Sequence, residues 1–532
     1  FQQDGKNDTE KFNQALDVYK FPLYDKQKEG VQFLYSNQSA ILGDETGAGK
    51  TIQMVGAADQ RMKQSGGRTL IITLNATQLQ WMKEIEKFTG DKDISADPSD
   101  GKKWTVLNYY AFSDPHKNDA GLPRRDELVQ TIIDQNNFQV LILDESHTVK
   151  NESKRTENIA KIAENIPFKW GATATVIANK AIDAYRQAQI LNHPLGDVSK
   201  GRFKRDFAGM VPEGYGGAYV PGTPEQQREA ASHLRKQLVQ TGFYLKRTKK
   251  DMNPDMPNHT VEEVPVELDT RKLSNAVGRR MKSYKDRELP ISQLIAERTE
   301  VASAKVPFTL DLAKNVLTQG KKVIVFTCFI DSAEKLVAGL EKIVAGRDVG
   351  GGTVVGVYGN RDTASNVENF KNPNGDAKAL VLSILKGGTG LDLPNIVDDV
   401  IINDFSWTPK DKEQSEGRAF RISSTNDVNT RYVIGTNSVD QDMYDYVKEK
   451  TEIARLIQDL ENKENELVMQ GADVSQLLKE RAELEQRSAK LDNKPVTGIA
   501  GKALDRQAKG MSILKTGIGV NWYTDFKISS LQ

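Results

Sequence analysis

A single cysteine, Cys328, stands among the 532 residues, so no intrachain disulfide can form. Histidine is nearly as scarce: His116, His147, His193, His233 and His259 are scattered without ligand spacing, which argues against a zinc site. No run of about 18 or more apolar residues occurs, so neither a membrane-spanning helix nor a membrane partner is expected. Net charge is absent as well, with 73 Lys and Arg against 73 Asp and Glu. The chain is therefore not a polycation that condenses on nucleic acid, and any such contact must be local, in a groove. Neither a Met nor a charged-then-apolar leader opens the chain at Phe1. The reading is a cytoplasmic, nucleoid or nuclear protein that is not secreted, with a larger parent polypeptide left open.

What is present is the composition of a globular chain, 38% hydrophobic and 27% charged, and too long for one ordinary core. After a polar lead-in (1–20), short apolar runs alternate with helical patterns up to about residue 195. Ala40–Leu42, Thr69–Leu74, Trp104–Leu107, Val140–Leu143 and Lys169–Gly171 read as strands. Near-continuous apolar runs of this kind mark parallel strands buried on both faces. The region 196–300 breaks the rhythm with loops such as VPEGYGGAYVPGTP and charged helical stretches, and reads as a helical insertion plus a linker. The pattern resumes over 301–450, with Val323–Thr327, Val354–Tyr358, Ala379–Ile384, Val400–Asn403 and Thr430–Ile434 as strands. The fold class is thus α/β, with two doubly wound parallel-sheet lobes whose ligands belong at the carboxyl ends of the strands. Over 451–492, apolar residues spaced three and four apart, interrupted by QGAD, predict an antiparallel helical hairpin that folds on itself or recruits a partner. The tail (493–532) is uninformative.

The stretch ILGDETGAGKT, Ile41–Thr51, follows an apolar strand and precedes a helical segment. A Gly-rich turn there lets backbone N–H groups from Glu45, Thr46, Gly47, Ala48 and Gly49 face a triphosphate at a helix N-terminus. Lys50 is placed to reach the β- and γ-phosphates and Thr51 to bind Mg²⁺. The strict pattern wants glycine where Asp44 stands. Nearly one hundred residues on, VLILDESH ends an apolar strand with Asp144, which can hold the metal, and Glu145, which can activate water.

The order of these motifs resembles the superfamily-two helicases, and more narrowly the Swi/Snf-type ATPases, including the annealing-helicase branch with its DESH box. The resemblance runs from about Pro22 to Asp445 and implies two RecA-like lobes, ATP with Mg²⁺, and double-stranded DNA as partner, with branched or single-stranded DNA as variants. FPLYDKQKEGVQFL resembles the adenine-reading motif, which assigns Gln27 to the nucleotide. The family's DExGxGKT form makes Asp44 expected and counts it with the nucleotide site. LIITLNATQLQWMKEIEKF resembles the strand that ends at tracked DNA, which implies phosphate contact by Thr73 and Asn75. ATATVIAN stands where the family carries LTGTPxxN and departs from it at Ala174 and Val176. His147, Thr173, Thr175 and Gln414 are the implied coupling residues. The basic run in YLKRTKKDM, Lys246 to Lys250, is either a solvated face or a DNA-backbone contact.

In the second lobe, KKVIVFTCF and LSILKGGTGLDL resemble the family's helicase C-terminal strands and loop. They imply DNA contacts by Thr327, Ser383, Gly388 and Thr389, and nucleotide-side contacts by Gly390 and Asp392. QSEGRAFRISS is close to QxxGRxxRxGQ, so Arg418 and Arg421, three apart, can point together across a cleft at the γ-phosphate. The implied catalytic set is Lys50, Glu145, Arg418 and Arg421, divided between lobes and completed only when the cleft closes. The expected activity is ATP hydrolysis coupled to movement along duplex DNA without sequence reading. Two other readings stay open: a motor segment of a larger restriction, modification or anti-restriction protein, and a structural protein that keeps the fold but is catalytically idle.

Overall fold

The computed structural model describes residues 12–116, 123–135, 137–173, 181–213, 218–268, 291–358, 364–372, 375–384, 393, 395–406, 412, 415–417, 420–469, 475–493, 495–496 and 499–500. Two parallel sheets organise them. The first contains β1 (Ser39–Leu42), β2 (Arg68–Thr73), β3 (Ile94–Ser95), β4 (Trp104–Asn108), β5 (Phe138–Asp144) and β6 (Phe168–Ala172). An antiparallel hairpin, β7 (Met210–Glu213) with β8 (Ala218–Pro221), stands apart from it, and β9 (Tyr244–Leu245) closes one edge. The sheet order is β3-β4-β2-β5-β6-β1-β9.

Period-two alternation explains why these strands carry no polar face. Ile71, Val140 and Ile142 enter one apolar layer, with Val31, Met54, Ile85 and Trp104. Leu70, Ile72, Leu141 and Leu143 enter the other, with Ile159, Ile162, Leu234 and Phe243. Successive residues point to opposite faces and both faces are covered, so both sets of positions are mainly apolar.

The second sheet repeats the arrangement with β10 (His259–Val266), β11 (Val323–Thr327), β12 (Thr353–Val357), β13 (Ala377–Ser383), β14 (Asp399–Ile402) and β15 (Val428–Gly435). Its order is β10-β15-β14-β11-β13-β12, again all parallel. Ile324 and Phe326 face one layer, Val323 and Val325 the other. The stretch expected as insertion and linker thus contributes one edge strand to each sheet: β9 pairs with β1 and β10 with β15.

The expected helical hairpin is present as Val439–Met469 and Ser475–Asn493, tied by an ion pair from Arg487 to Glu449 at 2.9 Å. Its first helix starts earlier than the periodic run, because Val439, Met443, Tyr444 and Val447 already belong to the second lobe's core. Lys305, fully buried, fastens the junction by donating to Asp440 at 2.6 Å and to the Val433 carbonyl at 2.8 Å.

Candidate active site

Between β1 and helix α1 (Lys50–Ser65) the chain turns through a loop in which Gly47 and Gly49 hold φ of 85° and 76°. Only glycine adopts such angles without strain, and a methyl group added to Gly49 would stand 2.4 Å from the Gln27 amide nitrogen. Gln27 is buried beneath the loop, donating to the Ala48 carbonyl at 3.2 Å and accepting from the Tyr24 N–H at 3.1 Å. Lys50 Nζ reaches back to the carbonyls of Asp44 and Glu45, at 2.6 and 3.1 Å. Burial pushes this ammonium below its ordinary range, against the charges of Glu145, Asp44, Asp144 and Glu45.

Asp44 does not serve the nucleotide as expected. Its carboxylate is fully buried and takes two bonds from Arg247, Nε at 3.1 Å and a terminal nitrogen at 2.7 Å, and a third from Gln53 at 3.2 Å. Arg247 also donates to the Gln53 side chain and the Lys26 carbonyl. It is therefore neither a solvated cation nor a DNA contact but a buried clamp on the phosphate loop, which accounts for the aspartate where a generic loop has glycine. Next to it Glu45 accepts from the Lys249 N–H at 2.8 Å. The segment after β9 is thereby stitched to the loop from below.

Asp144 ends β5, next to β2. One oxygen, Oδ2, accepts from Thr73 Oγ1 at 2.6 Å and from the Trp81 indole N–H at 2.9 Å, and the backbone carbonyl accepts from Tyr109 at 2.7 Å. Among the described residues no donor reaches Oδ1. Burial, then the charge of Glu145, raises the pKa of this carboxyl, while Thr73, Trp81 and Lys50 pull it back. Glu145 sits at φ 50°, a left-handed conformation that non-glycine residues hold only under strain and that clusters at functional sites. His147 Nδ1 lies 3.2 Å from Glu145 and 2.9 Å from Thr173 Oγ1, so two of the expected coupling residues meet. Thr51, on the first turn of α1, and Asp144 are hard oxygen donors of the kind Mg²⁺ takes, and with the glycine cradle they fit a metal-bound triphosphate.

The late motif of the second lobe comes to the same loop. A methyl group on Gly47 would lie 3.7 Å from Arg421 Cγ, and one on Gly417 would lie 4.0 Å from Thr46 Cγ2. Ile422 packs with Ala48 and Met252, and its carbonyl accepts from Asn253 at 2.9 Å. Arg421 is thus brought from the second lobe onto the phosphate loop of the first. Arg418, Gln414, Thr175, Gly388, Thr389, Gly390 and Asp392 lie outside the described residues.

The DNA-contact expectations need correction. Thr73 and Thr327 are fully buried, with hydroxyls given to Asp144 and, at 2.6 Å, to Asp404. A buried hydroxyl cannot meet a backbone phosphate. Ser383 is buried as well, at the end of β13, whereas Asn75 is exposed at the end of β2. Trp81 and Arg247 were missed as parts of the site; both stood inside quoted motifs, but nothing local in sequence pairs them with Asp144 and Asp44.

Comparison with known proteins supplies a family for the two lobes. The SNF2-related domain family matches residues 26–275, and the helicase conserved C-terminal domain family matches residues 308–423. An uncharacterized ATP-dependent helicase of Mycoplasma genitalium is 24% identical over 468 residues, covering 82% of this chain and 42% of the relative. A SWI/SNF-related matrix-associated actin-dependent regulator of chromatin, subfamily A-like protein 1, of Drosophila melanogaster is 22% identical, covering 80% of this chain and 55% of its own length. The chain spans about half the length of these curated relatives. A solved SWI2/SNF2 ATPase core of Sulfolobus solfataricus in complex with dsDNA is 18% identical, with a TM-score of 0.38, covering 81% of this chain and 91% of that one. With the two families matched in order across the two lobes, the chain belongs to the Swi2/Snf2-type helicase-like ATPases of superfamily two.

Proposed function

We infer that this chain hydrolyses ATP and uses the cycle to move along double-stranded DNA without reading its sequence. The observation that carries the reading is the placement of Arg421 against Gly47, on the loop that also holds Lys50. Lys50 would hold the β- and γ-phosphates, Thr51 and Asp144 the metal, and Glu145, oriented beside His147, would take the proton of the attacking water. Magnesium, when bound, neutralises charge on the phosphate oxygens. Arg421 offers a guanidinium from the other lobe, where charge spreads in the transition state. Because that group rides on the second lobe, hydrolysis follows closure, and a cycle of closing and opening shifts one lobe against the other.

A backbone grip by loop N–H groups, Asn75 and a few cations carries no base information, so binding should be sequence-tolerant and salt-sensitive. An idle structural role is disfavoured by the retention of Lys50, Asp144, Glu145 and Arg421 in one constellation. The test is ATP turnover with and without duplex DNA of several unrelated sequences. Stimulation that is similar across sequences and lost in Lys50→Ala supports the reading; equal turnover by wild type and Lys50→Ala overturns it.

A further inference from the structure

The carboxylate of Asp144 is held by one short stretch of chain. Thr73 ends β2, the tight turn Asn75–Thr77 follows, and Trp81 stands on the helix Gln78–Thr89 immediately after. Thr73 and Trp81 both bond Oδ2, so this single oxygen is fixed and Oδ1 is left to point elsewhere. The link continues outward: Thr73 Oγ1 lies 2.6 Å from Thr77 Oγ1.

Proton inventory fixes the direction of this chain. An ionised carboxylate only accepts, so the one hydroxyl hydrogen of Thr73 goes to Asp144. Any hydrogen between Thr73 and Thr77 must then come from Thr77. Thr77 also has a second acceptor, the Leu74 carbonyl at 3.1 Å, and a hydroxyl cannot serve both at once. Its hydrogen therefore has two resting places, one that polarises Thr73 toward Asp144 and one that does not. The turn carrying this rotor bears exposed Asn75 at the carboxyl end of β2.

We propose that Thr73 and Trp81 are positioning residues for the metal-holding carboxylate, and that Thr77 connects them to the exposed turn Asn75–Thr77. A phosphate backbone resting on that turn would then set the geometry of Asp144 without touching it. The connection to DNA rests on the function proposed above; the positioning of Asp144 does not.

The experiment uses the full chain and separates the two. Mn²⁺ binding in the presence of ATP, followed by electron paramagnetic resonance, reads the positioning directly. Trp81→Phe and Thr73→Val should each weaken Mn²⁺ binding about tenfold. Metal-free ATP affinity should stay at the wild-type value, and Thr73→Ser should restore Mn²⁺ binding. Wild-type Mn²⁺ affinity in both Trp81→Phe and Thr73→Val, or failure of the serine to rescue, overturns the positioning role. Thr77→Val should lose about fivefold of the stimulation by duplex DNA, read as the ratio of turnover with DNA to turnover without it, a typical coupling effect. Full stimulation of Thr77→Val overturns the connection. A wild-type protein that DNA fails to stimulate overturns the DNA reading instead, while the Mn²⁺ arm still judges the carboxylate.

Discussion

The two lobes end corresponding strands with the same pair of residues and use it differently. In the first, Thr73 at the end of β2 donates to Asp144 at the end of neighbouring β5; in the second, Thr327 at the end of β11 donates to Asp404, just past neighbouring β14. Both bonds measure 2.6 Å. Asp404 is then saturated, since the Cys328 N–H fills Oδ1 at 2.5 Å and Asn403 shares Oδ2 at 2.9 Å. Asp144 has both side-chain donors on Oδ2 and a second carboxylate, Glu145, as its neighbour in sequence. A buried acid whose oxygens are all bonded ties strands together; one with an oxygen to spare beside a strained neighbour can hold a ligand. On the function proposed above, the repeated device is structural in one lobe and chemical in the other because of which donors follow it.

Substitutions at these two acids should separate most widely. Asp144→Asn removes the charge proposed to hold the metal, and turnover should fall by about 10³ or more, measured as steady-state phosphate release, with the fold intact by circular dichroism. Comparable turnover in this variant and wild type would erase the distinction between the lobes. Arg247→Met should be the most costly to stability, about 3–5 kcal/mol, because it leaves Asp44 charged and unpaired in the interior. Urea unfolding reads that loss, and Asp44→Asn combined with Arg247→Met should recover part of it.

Asp404→Asn should invert the pattern of Asp144→Asn. It replaces one carboxylate oxygen with an amide donor, so either Thr327 or the Cys328 N–H loses its acceptor, costing about 2–3 kcal/mol in unfolding free energy while turnover at low temperature stays near wild type. The smallest effect concerns acid. His193 in the first lobe is buried, and burial lowers its pKa from 6.5 to about 4, with Asp197 opposing. Its Nδ1 accepts from the Leu195 N–H at 3.2 Å and its Nε2 meets Thr241 at 2.9 Å, so the neutral ring is the one that fits. A depressed folded value means that stability present above about pH 6.5 is lost as pH falls toward 4, up to about 2 kcal/mol by pH 5. His193→Gln should flatten that part of the profile in thermal melts at pH 7 and pH 5.

The sheets were legible in the sequence wherever strands are buried on both faces. Ile71, Leu141, Val325 and Leu380 sit in runs that only a two-sided parallel strand requires, and each expected strand has its counterpart within two residues at either end. The strands β3, β9 and β10 escaped, as did β7 and β8, which form a hairpin where VPEGYGGAYVPGTP read as loop. Two-residue edges such as Tyr244–Leu245 have no period to detect, and β10 is exposed along most of its length, with Glu262 and Glu263 facing solvent. The site was legible as motifs but not as contacts. Thr73 and Thr327 were assigned outward to DNA because a strand's last residue lies near the ligand edge; which way its side chain turns depends on an aspartate dozens of residues away. Asp44 with Arg247 is the same lesson, a pair of charges just past the ends of neighbouring strands that no local pattern connects.

The measurement closest to the central claim is single-turnover hydrolysis by Arg421→Ala, with ATP affinity measured separately on the same protein. If groups from both lobes act on one triphosphate, the rate should fall by about 10³ while ATP still binds within a fewfold of wild type. A wild-type rate in this variant would contradict the account, because the second lobe would then contribute nothing to the chemistry.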